Sequence, residues 1–474
     1  MSSSPITAEQ WAALPPETQA LLRAVIEHYE SQLVELQAKI VQLEARLGKT
    51  PQNSSLPPSS QHPHAKPPAK KPKSKKKRGG QPGHKKHERP LLPSDECDDV
   101  QRLKPAECRR CGRELRGSDA EPLRHQVWEL PEIKPHVTEY QRHRLACPCC
   151  GETTCAPLPA DVGTSQAGPR LTALVALLMG CFRQSKRRVA LFMEQILDQP
   201  CSTGWVVKLQ NQATAASRPA YDELVAALPR EPVVGMDETP SKEANRKSWL
   251  WTAVAKNFTT FAVRPTREAT AVTEWLGESF AGVVMCDRAK MYWRIPRLQW
   301  CWAHLKRDFQ ALIDDAGGKA KRLGRDLMRP TREMFRLWAR YRDGTLTRLG
   351  WKRLMGPIRA EIEALLLRGV YSGEPRLEGM CRELHGHRAW LWTFLEVEGV
   401  EPTNNASERA IRPAVIWRKL SFGTQSAAGS RFLETILTVV ETCRQQGRRA
   451  FDYLVDAIQA HRRRQPGPSL LPGV

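Results

Sequence analysis

PVVGMDET (232–239), SWLWTAVAK (248–256), FTTFAVRPT (258–266), TAVTEWLGESF (270–280), AGVVMCDRAKMYW (281–293) and LQWCWAHLKRDF (298–309) follow one another with short breaks between them. Short apolar runs rich in β-branched and aromatic residues, bounded by turn formers, read as strands, and TAVTEWLGESF has helical spacing. The predicted order is therefore three adjacent strands, a helix and two further strands.

That order is the order of a ribonuclease-H-like sheet. Asp237 follows the buried run Val233 to Met236 and Asp287 ends the run Val283 to Cys286, so the two acids are expected together near the middle of neighbouring strands. A lone carboxylate there is costly to bury, whereas divalent ions neutralise both. Either acid alone reads equally well as a strand-end turn residue; the pair does not. Cys301 and His304 form a Cys-x-x-His with no second half in the following sequence, and their expected role is packing and orienting at the end of the last strand. Trp249, Trp251, Trp293, Trp300 and Trp302 are expected mostly in the core.

C-terminal to this region, residues 306–400 are helical in pattern, as in EMFRLWARYRD (333–343) and IRAEIEALLLR (358–368). The stretch is too long for a loop and reads as a helical insertion. PTNNASERAIRP (402–413) then begins a short helix. Glu408 follows two asparagines there, and Asn405-x-x-Glu408 also fits a capping box. Arg409, Arg412, Arg418, Lys419 and Arg431 make this a basic edge suited to phosphates, and Pro413 is expected to end or kink the helix. The core is thus assigned to 231–305 and 401–446, with a C-terminal helix and tail over 447–474.

N-terminal to the core, residues 166–230 read as helices, with a break at Asp198 to Pro200 and a restart at a Ser/Thr cap. The punctuation is that of a helix-turn-helix and equally that of any small bundle. Residues 96–165 hold Cys108-x2-Cys111-Gly and Cys147-Pro-Cys149-Cys150-Gly. Two such knuckles supply four thiolates to one Zn²⁺ if the segment between them forms a hairpin that returns the chain. Cys147 and Cys150 restore the Cys-x2-Cys spacing, which leaves Cys97, Cys149 and Cys155 as spares. Residues 49–95 are rich in Pro, Ser and Lys and cannot pack; they are expected to be a flexible tether whose Lys70, Lys71, Lys73, Lys75, Lys76, Lys77 and Arg78 neutralise phosphates. Across 18–48, Leu22, Ile26, Tyr29, Leu33, Leu36, Ile40, Leu43 and Leu47 alternate spacings of four and three, the seam of a coiled coil and a basis for self-association.

The formal charge of +22 over 474 residues favours a polyanionic partner. Membrane is the weaker choice, since no apolar run reaches about eighteen residues. The opening MSSSPITAEQWAALPPETQ lacks a basic stretch followed by an apolar one. Thirteen cysteines, an odd number with one dense cluster, suit reduced thiols with a metal site. The expectation is a soluble, cytoplasmic protein.

NSSLPPSS and GGQPGHKKH in the tether, the segment Cys108 to Gly151, GMDET, CDRAKMYW, CWAHLKRDF, and NNASERAIRP followed by WRKLSFGTQSAAGSRF together resemble the insertion sequence 66 family of bacterial transposases. The resemblance covers nearly the whole chain. It implies a multidomain α/β protein with a ribonuclease-H-like catalytic core, in which Asp237, Asp287 and Glu408 are a D-D-E triad holding Mg²⁺ or Mn²⁺. It further implies cleavage of element ends and their joining to target DNA with the metal clamping the scissile phosphate, and small accessory proteins of the element as further partners. Two other classes compete: a non-catalytic zinc-containing DNA-binding regulator derived from a transposase, and a metal nuclease that hydrolyses without rejoining. The tether yields a prediction independent of the acids. Deleting residues 66–89 should flatten the dependence of DNA affinity on salt, measured by titration at several ionic strengths, because fewer counterions are released; an unchanged slope would make the charge run a bystander.

Overall fold

The computed structural model describes residues 8–47, 49, 53, 89–159, 162, 165–314 and 318–473. Helix α1 (Ala8–Ala12) is followed by α2 (Pro16–Leu47), a continuous helix on which Ile26, Tyr29, Leu33, Leu36, Ile40 and Leu43 are all exposed. Most of the tether, Lys70 to Arg78 included, lies outside the described residues. No helix among the described residues is long and apolar enough to cross a membrane.

The chain divides into two compact units, 63–137 and the remainder. In the smaller unit, Leu92 and Gln126 exchange two hydrogen bonds of 2.9 Å, and Arg89 stacks on Trp128 at 3.8 Å. Strands β1 (Arg144–Ala146) and β2 (Thr153–Cys155) of the larger unit pair antiparallel. The hairpin expected between the two knuckles is not what forms. β1 and β2 instead flank the second knuckle, and the bridge between Glu107 and Glu114 flanks the first. Each Cys-x2-Cys-Gly is itself a tight turn, and a turn closes the ladder nearest to it at the least entropic cost.

The central sheet has the order β5-β4-β3-β6-β7. β3 (Val233–Glu243), β4 (Arg246–Val254) and β5 (Thr259–Arg264) form an antiparallel meander, and the β3–β4 hairpin turns on Ala244 and Asn245, both at positive φ, as its two-residue loop requires. Helix α6 (Ala269–Leu276) carries the chain across to β6 (Val283–Cys286), which runs parallel to β3, and β7 (Leu298–Trp300) runs parallel to β6. β6 and β7 are buried at every position, as parallel strands covered on both faces should be.

The helices expected from Lys306 onward begin earlier, at Trp302. α7 (Trp302–Asp314), α8 (Gly318–Arg342), α9 (Arg348–Val370) and α10 (Pro375–Gly386) pack in succession, and α11 (Ala389–Glu396) returns the chain to β7. There Gln299 Nε2 donates to Leu391 O, Thr393 Oγ1 donates to Leu298 O, and Gln299 Oε1 accepts the Phe394 N–H. α12 (Asn405–Ser421) continues past Pro413, so the proline does not end the helix. The carbonyl deprived of a donor belongs to exposed Arg409, where water replaces it, while Ala410, Ile411 and Ala414 pack with Leu250 and Phe261 and hold the helix down.

The helices before the sheet pack on those after it. α3 (Pro169–Gly180) and α5 (Thr203–Ala227) lie against α13 (Ala427–Gln445) and α14 (Ala450–Arg462), while α4 (Lys186–Leu197) packs on α5. The restart of α5 is capped by Ser202, whose side chain accepts the Trp205 N–H. α13 also closes the free edge of β5. Thr442 Oγ1 accepts Thr259 N–H at 3.1 Å, Thr438 Oγ1 accepts Phe261 N–H at 3.0 Å, and Glu434 Oε1 accepts Val263 N–H at 2.7 Å. The four-residue helical spacing matches the two-residue spacing of outward N–H groups. Thr438→Val, similar in volume, should strand a buried N–H and destabilise the core by about 1–3 kcal/mol in denaturant unfolding, while Thr438→Ser should recover most of the loss.

Candidate functional site

Asp237 lies within β3, and Asp287 directly follows β6. Gly235 pairs with Met285 in the parallel ladder and each acid lies two residues beyond, so the two reach the same level on the same face. The sequence placed both acids mid-strand; Asp287 instead begins the loop, where its Oδ1 accepts the Ala289 N–H at 2.9 Å.

The third acid arrives from the helical layer. A Cβ at Gly235 would meet Ser407 Oγ at 2.4 Å and Asn404 Oδ1 at 2.9 Å, so only glycine admits the start of α12 to this face of β3. Asn404 fixes it there. Its Nδ2 donates to Met236 O at 2.6 Å, its Oδ1 accepts from Ser407 Oγ at 2.8 Å, and its backbone N–H points at Cys301 Sγ at 3.2 Å. Asn404, not Asn405, occupies the N-cap position of α12, its side chain turned to Met236 and Ser407 and not to a helix N–H. Glu408 is therefore one position past the slot a capping-box acid fills, and its Oε1 is buried without a hydrogen-bond partner among the described residues.

Burial pushes the Asp237 carboxyl well above its ordinary range, and the negative charges of Glu238, Asp287 and Glu408 add to that effect. Burial, with Asp287 next, likewise raises Glu238, against the pull of Arg267. Glu238 is only 3% exposed. It is clamped by the Arg267 guanidinium, which also lies over Trp249, and by the Tyr292 hydroxyl. Arg267 Nη2 stands 4.0 Å from Asp287 Oδ2. Glu238, Arg267, Tyr292 and Asn404 escaped sequence reasoning; only the adjacency of Glu238 to Asp237, Tyr292 in the CDRAKMYW run and the doubled asparagine hinted at them.

Cys301 and His304 come to the same place. His304 Nδ1 is 3.8 Å from Glu408 Oε1, and ligand atoms of Cys301, His304 and Glu408 all lie within 4.8 Å of one another. The half-site without a sequence neighbour thus finds its third group in α12, across the whole helical insertion. Burial raises the Cys301 thiol to about 11, and burial, then Arg307, lowers the His304 imidazole. Trp251, Trp300 and Trp302 are fully buried, in keeping with a core role.

Among the basic residues of α12, Arg409, Arg412 and Lys419 are exposed, whereas Arg418 is partly buried and donates to Pro240 O. The two cysteine knuckles repeat one geometry. Cys108 N–H donates to Arg113 O and Gly112 N–H to Cys108 O; Cys147 N–H donates to Glu152 O and Gly151 N–H to Cys147 O, with both glycines at φ near +74°. Backbone N–H groups of Arg110 and Cys111 lower the Cys108 thiol, as those of Cys150 and Cys149 lower Cys147. Cys111 and Cys150 each hydrogen-bond through their side chains to the first thiol of their own knuckle.

A mixed five-stranded sheet with neighbouring acids is thus accompanied by a pair of zinc-type cysteine knuckles. The chain belongs to the transposase IS66 family, whose model matches residues 164–431. The zinc-finger binding domain of transposase IS66 matches residues 105–151, which supports Zn²⁺ at the knuckles, and a family of unknown function matches residues 8–90. An uncharacterized protein of Sinorhizobium fredii, y4qI, is 27% identical over 241 residues, covering 45% of this chain and 44% of that protein. The chain thus spans less than half the length of this curated relative.

The site carries a testable cost. A carboxyl raised by folding contributes stability only below its unfolded pKa, and loses it as pH rises through the folded value. Ionised Asp237 therefore opposes folding at neutral pH. In magnesium-free buffer, Asp237→Asn should stabilise the protein by on the order of 1 kcal/mol at pH 8, read as a higher Tm, and the gain should shrink as pH falls toward the ordinary carboxylate range. A Tm difference independent of pH would contradict this.

Proposed function

We propose that this chain is a DNA transposase that cleaves the ends of an insertion sequence and joins them to target DNA, using Asp237, Asp287 and Glu408 as a D-D-E triad. The observation that carries this reading is the meeting of the three acids: two level on adjacent parallel strands, the third brought by a helix that Asn404 ties to β3. The strand order, an antiparallel meander followed by a helix and two parallel strands, supports a ribonuclease-H-like core.

The donor set suits a hard divalent ion. Asp237, strongly raised by burial and like charge, and Glu408, with an orphaned buried oxygen, both gain from a cation; Mg²⁺ or Mn²⁺ takes such oxygen ligands readily. When bound, the metal supplies charge neutralisation and polarisation at a phosphodiester. The chain's own part is positional. Arg267 and Tyr292 hold Glu238 beside Asp237 and Asp287, and Arg409, Arg412 and Lys419 extend along α12 from Glu408 as phosphate contacts. Cleavage hydrolyses a phosphodiester and leaves a 3′-hydroxyl; joining breaks a target phosphodiester with that hydroxyl, so each new bond replaces one broken and no protein nucleophile is required.

The remaining segments supply grip. Cys108, Cys111, Cys147 and Cys150 hold one Zn²⁺, with backbone N–H groups already favouring the thiolates, while Cys97, Cys149 and Cys155 stay outside. The tether from Lys70 to Arg78 adds sequence-independent phosphate contacts. α2 self-associates through its exposed apolar row as a coiled coil, which lets one assembly hold two DNA ends.

A strand-joining assay with labelled element ends and a target plasmid tests the reading. Asp237→Asn, Asp287→Asn and Glu408→Gln should each reduce Mg²⁺-dependent cleavage and joining by about 1,000-fold or more, with DNA binding little changed, because an amide keeps the size but not the charge. Glu398→Gln, on an exposed carboxylate, should be silent. Hydrolysis without joining would point to a nuclease, and DNA binding with neither reaction to a regulator; full activity of Glu408→Gln would remove Glu408 from the triad.

A further inference from the structure

Cys301 directly precedes α7, and the Asn404 N–H donates to its sulfur at 3.2 Å, while the His304 N–H donates to the Cys301 carbonyl. One turn into α7, His304 turns Nδ1 toward Glu408 Oε1 at 3.8 Å, too long for a hydrogen bond. Both atoms are buried, and neither has a hydrogen-bond partner among the described residues. Two orphaned polar atoms thus face each other beside a thiol. Zinc bonds of roughly 2.0–2.3 Å place tetrahedral ligand atoms about 3.3–3.7 Å apart, so the observed spacings need only a small contraction.

We propose that Cys301, His304 and Glu408 form a second transition-metal site, for an ion of the zinc class, separate from the knuckles and open at its fourth position. Sulfur and imidazole are ligands that Mg²⁺ does not take and Zn²⁺ does. Binding releases the Cys301 proton to solvent and leaves the metal held by a thiolate, an imidazole and a carboxylate. Glu408 is then committed to the softer ion. Zinc at this site competes with a hard cation that Asp237 and Asp287 would share with Glu408, which makes free zinc an inhibitor of the magnesium-dependent reaction. This last consequence alone rests on the proposed triad; the site itself does not.

The full chain, saturated with zinc and dialysed into magnesium buffer, should hold one more zinc per chain than Cys301→Ser, His304→Ala or Glu408→Gln, while Asp287→Asn should lose none. Cys301 is buried and its serine variant could misfold, whereas His304 and Glu408 are partly exposed and provide the second line of evidence. With Co²⁺ in a chain whose Cys108, Cys111, Cys147 and Cys150 are all replaced by Ser, the remaining thiolate-to-metal absorption should disappear when Cys301→Ser is added. Equal zinc content in the parent, His304→Ala and Glu408→Gln chains overturns the proposal. The zinc count needs no active enzyme. A chain that takes up the extra zinc but stays inactive in magnesium once that zinc is stripped leaves the site standing and the triad in question, and an active chain that takes up no extra zinc does the reverse.

Discussion

The hydrogen bond from the Asn404 amide to the carbonyl of Met236 is the constraint on which the site turns. It joins the residue directly before α12 to the strand residue directly before Asp237, so the position of Glu408 is set by a bond to the backbone that carries the first acid. The other features of the region serve that contact. Gly235 removes the Cβ that would strike Ser407 and Asn404, Ser407 orients the amide by donating to its oxygen, and the thiol of Cys301 receives the backbone N–H that the cap would otherwise leave unpaired. The whole helical insertion, α7 to α11, lies between Cys301 and Asn404 in the chain, and the bond at Met236 brings its two ends back to one point.

Around that point the protein holds more negative charge than its own cations balance. Arg267 is committed to Glu238, and its reach to Asp287 is at the limit of an ion pair. Such a cluster opposes folding, and a structure maintains it only where the surrounding packing is secure. Trp251 and Tyr292 meet edge to face beneath it, and the strands carrying the two aspartates are filled with buried aliphatic side chains. Stability is concentrated under the site and given up within it.

Much of this was legible in the sequence, because strands and acids leave local signals. The runs ending in Asp237 and Asp287 were readable as neighbours since an apolar strand followed by a carboxylate is a pattern of a few residues. The Ser202 cap was readable for the same reason. What escaped was long-range. Nothing near Cys301 or His304 indicates that Glu408 will lie beside them, and nothing in two consecutive asparagines says which takes the N-cap position until Met236 claims Asn404. Pro413 misled as to where the helix ends because its local rule is sound: a proline does remove a hydrogen bond, but the bond lost faces water and the opposite side of α12 is held by the sheet. The knuckles misled in the other direction. The expected hairpin lay between them, but the ladder closed around each turn.

Helix α13 has a consequence that reaches past the core. Glu434, Thr438 and Thr442 take the outward N–H groups of β5, and α11 is seated against β7 at the opposite side, where Leu298 O accepts from Thr393. A strand approaching β5 from outside would first have to displace α13, so the central sheet is closed to extension along that edge.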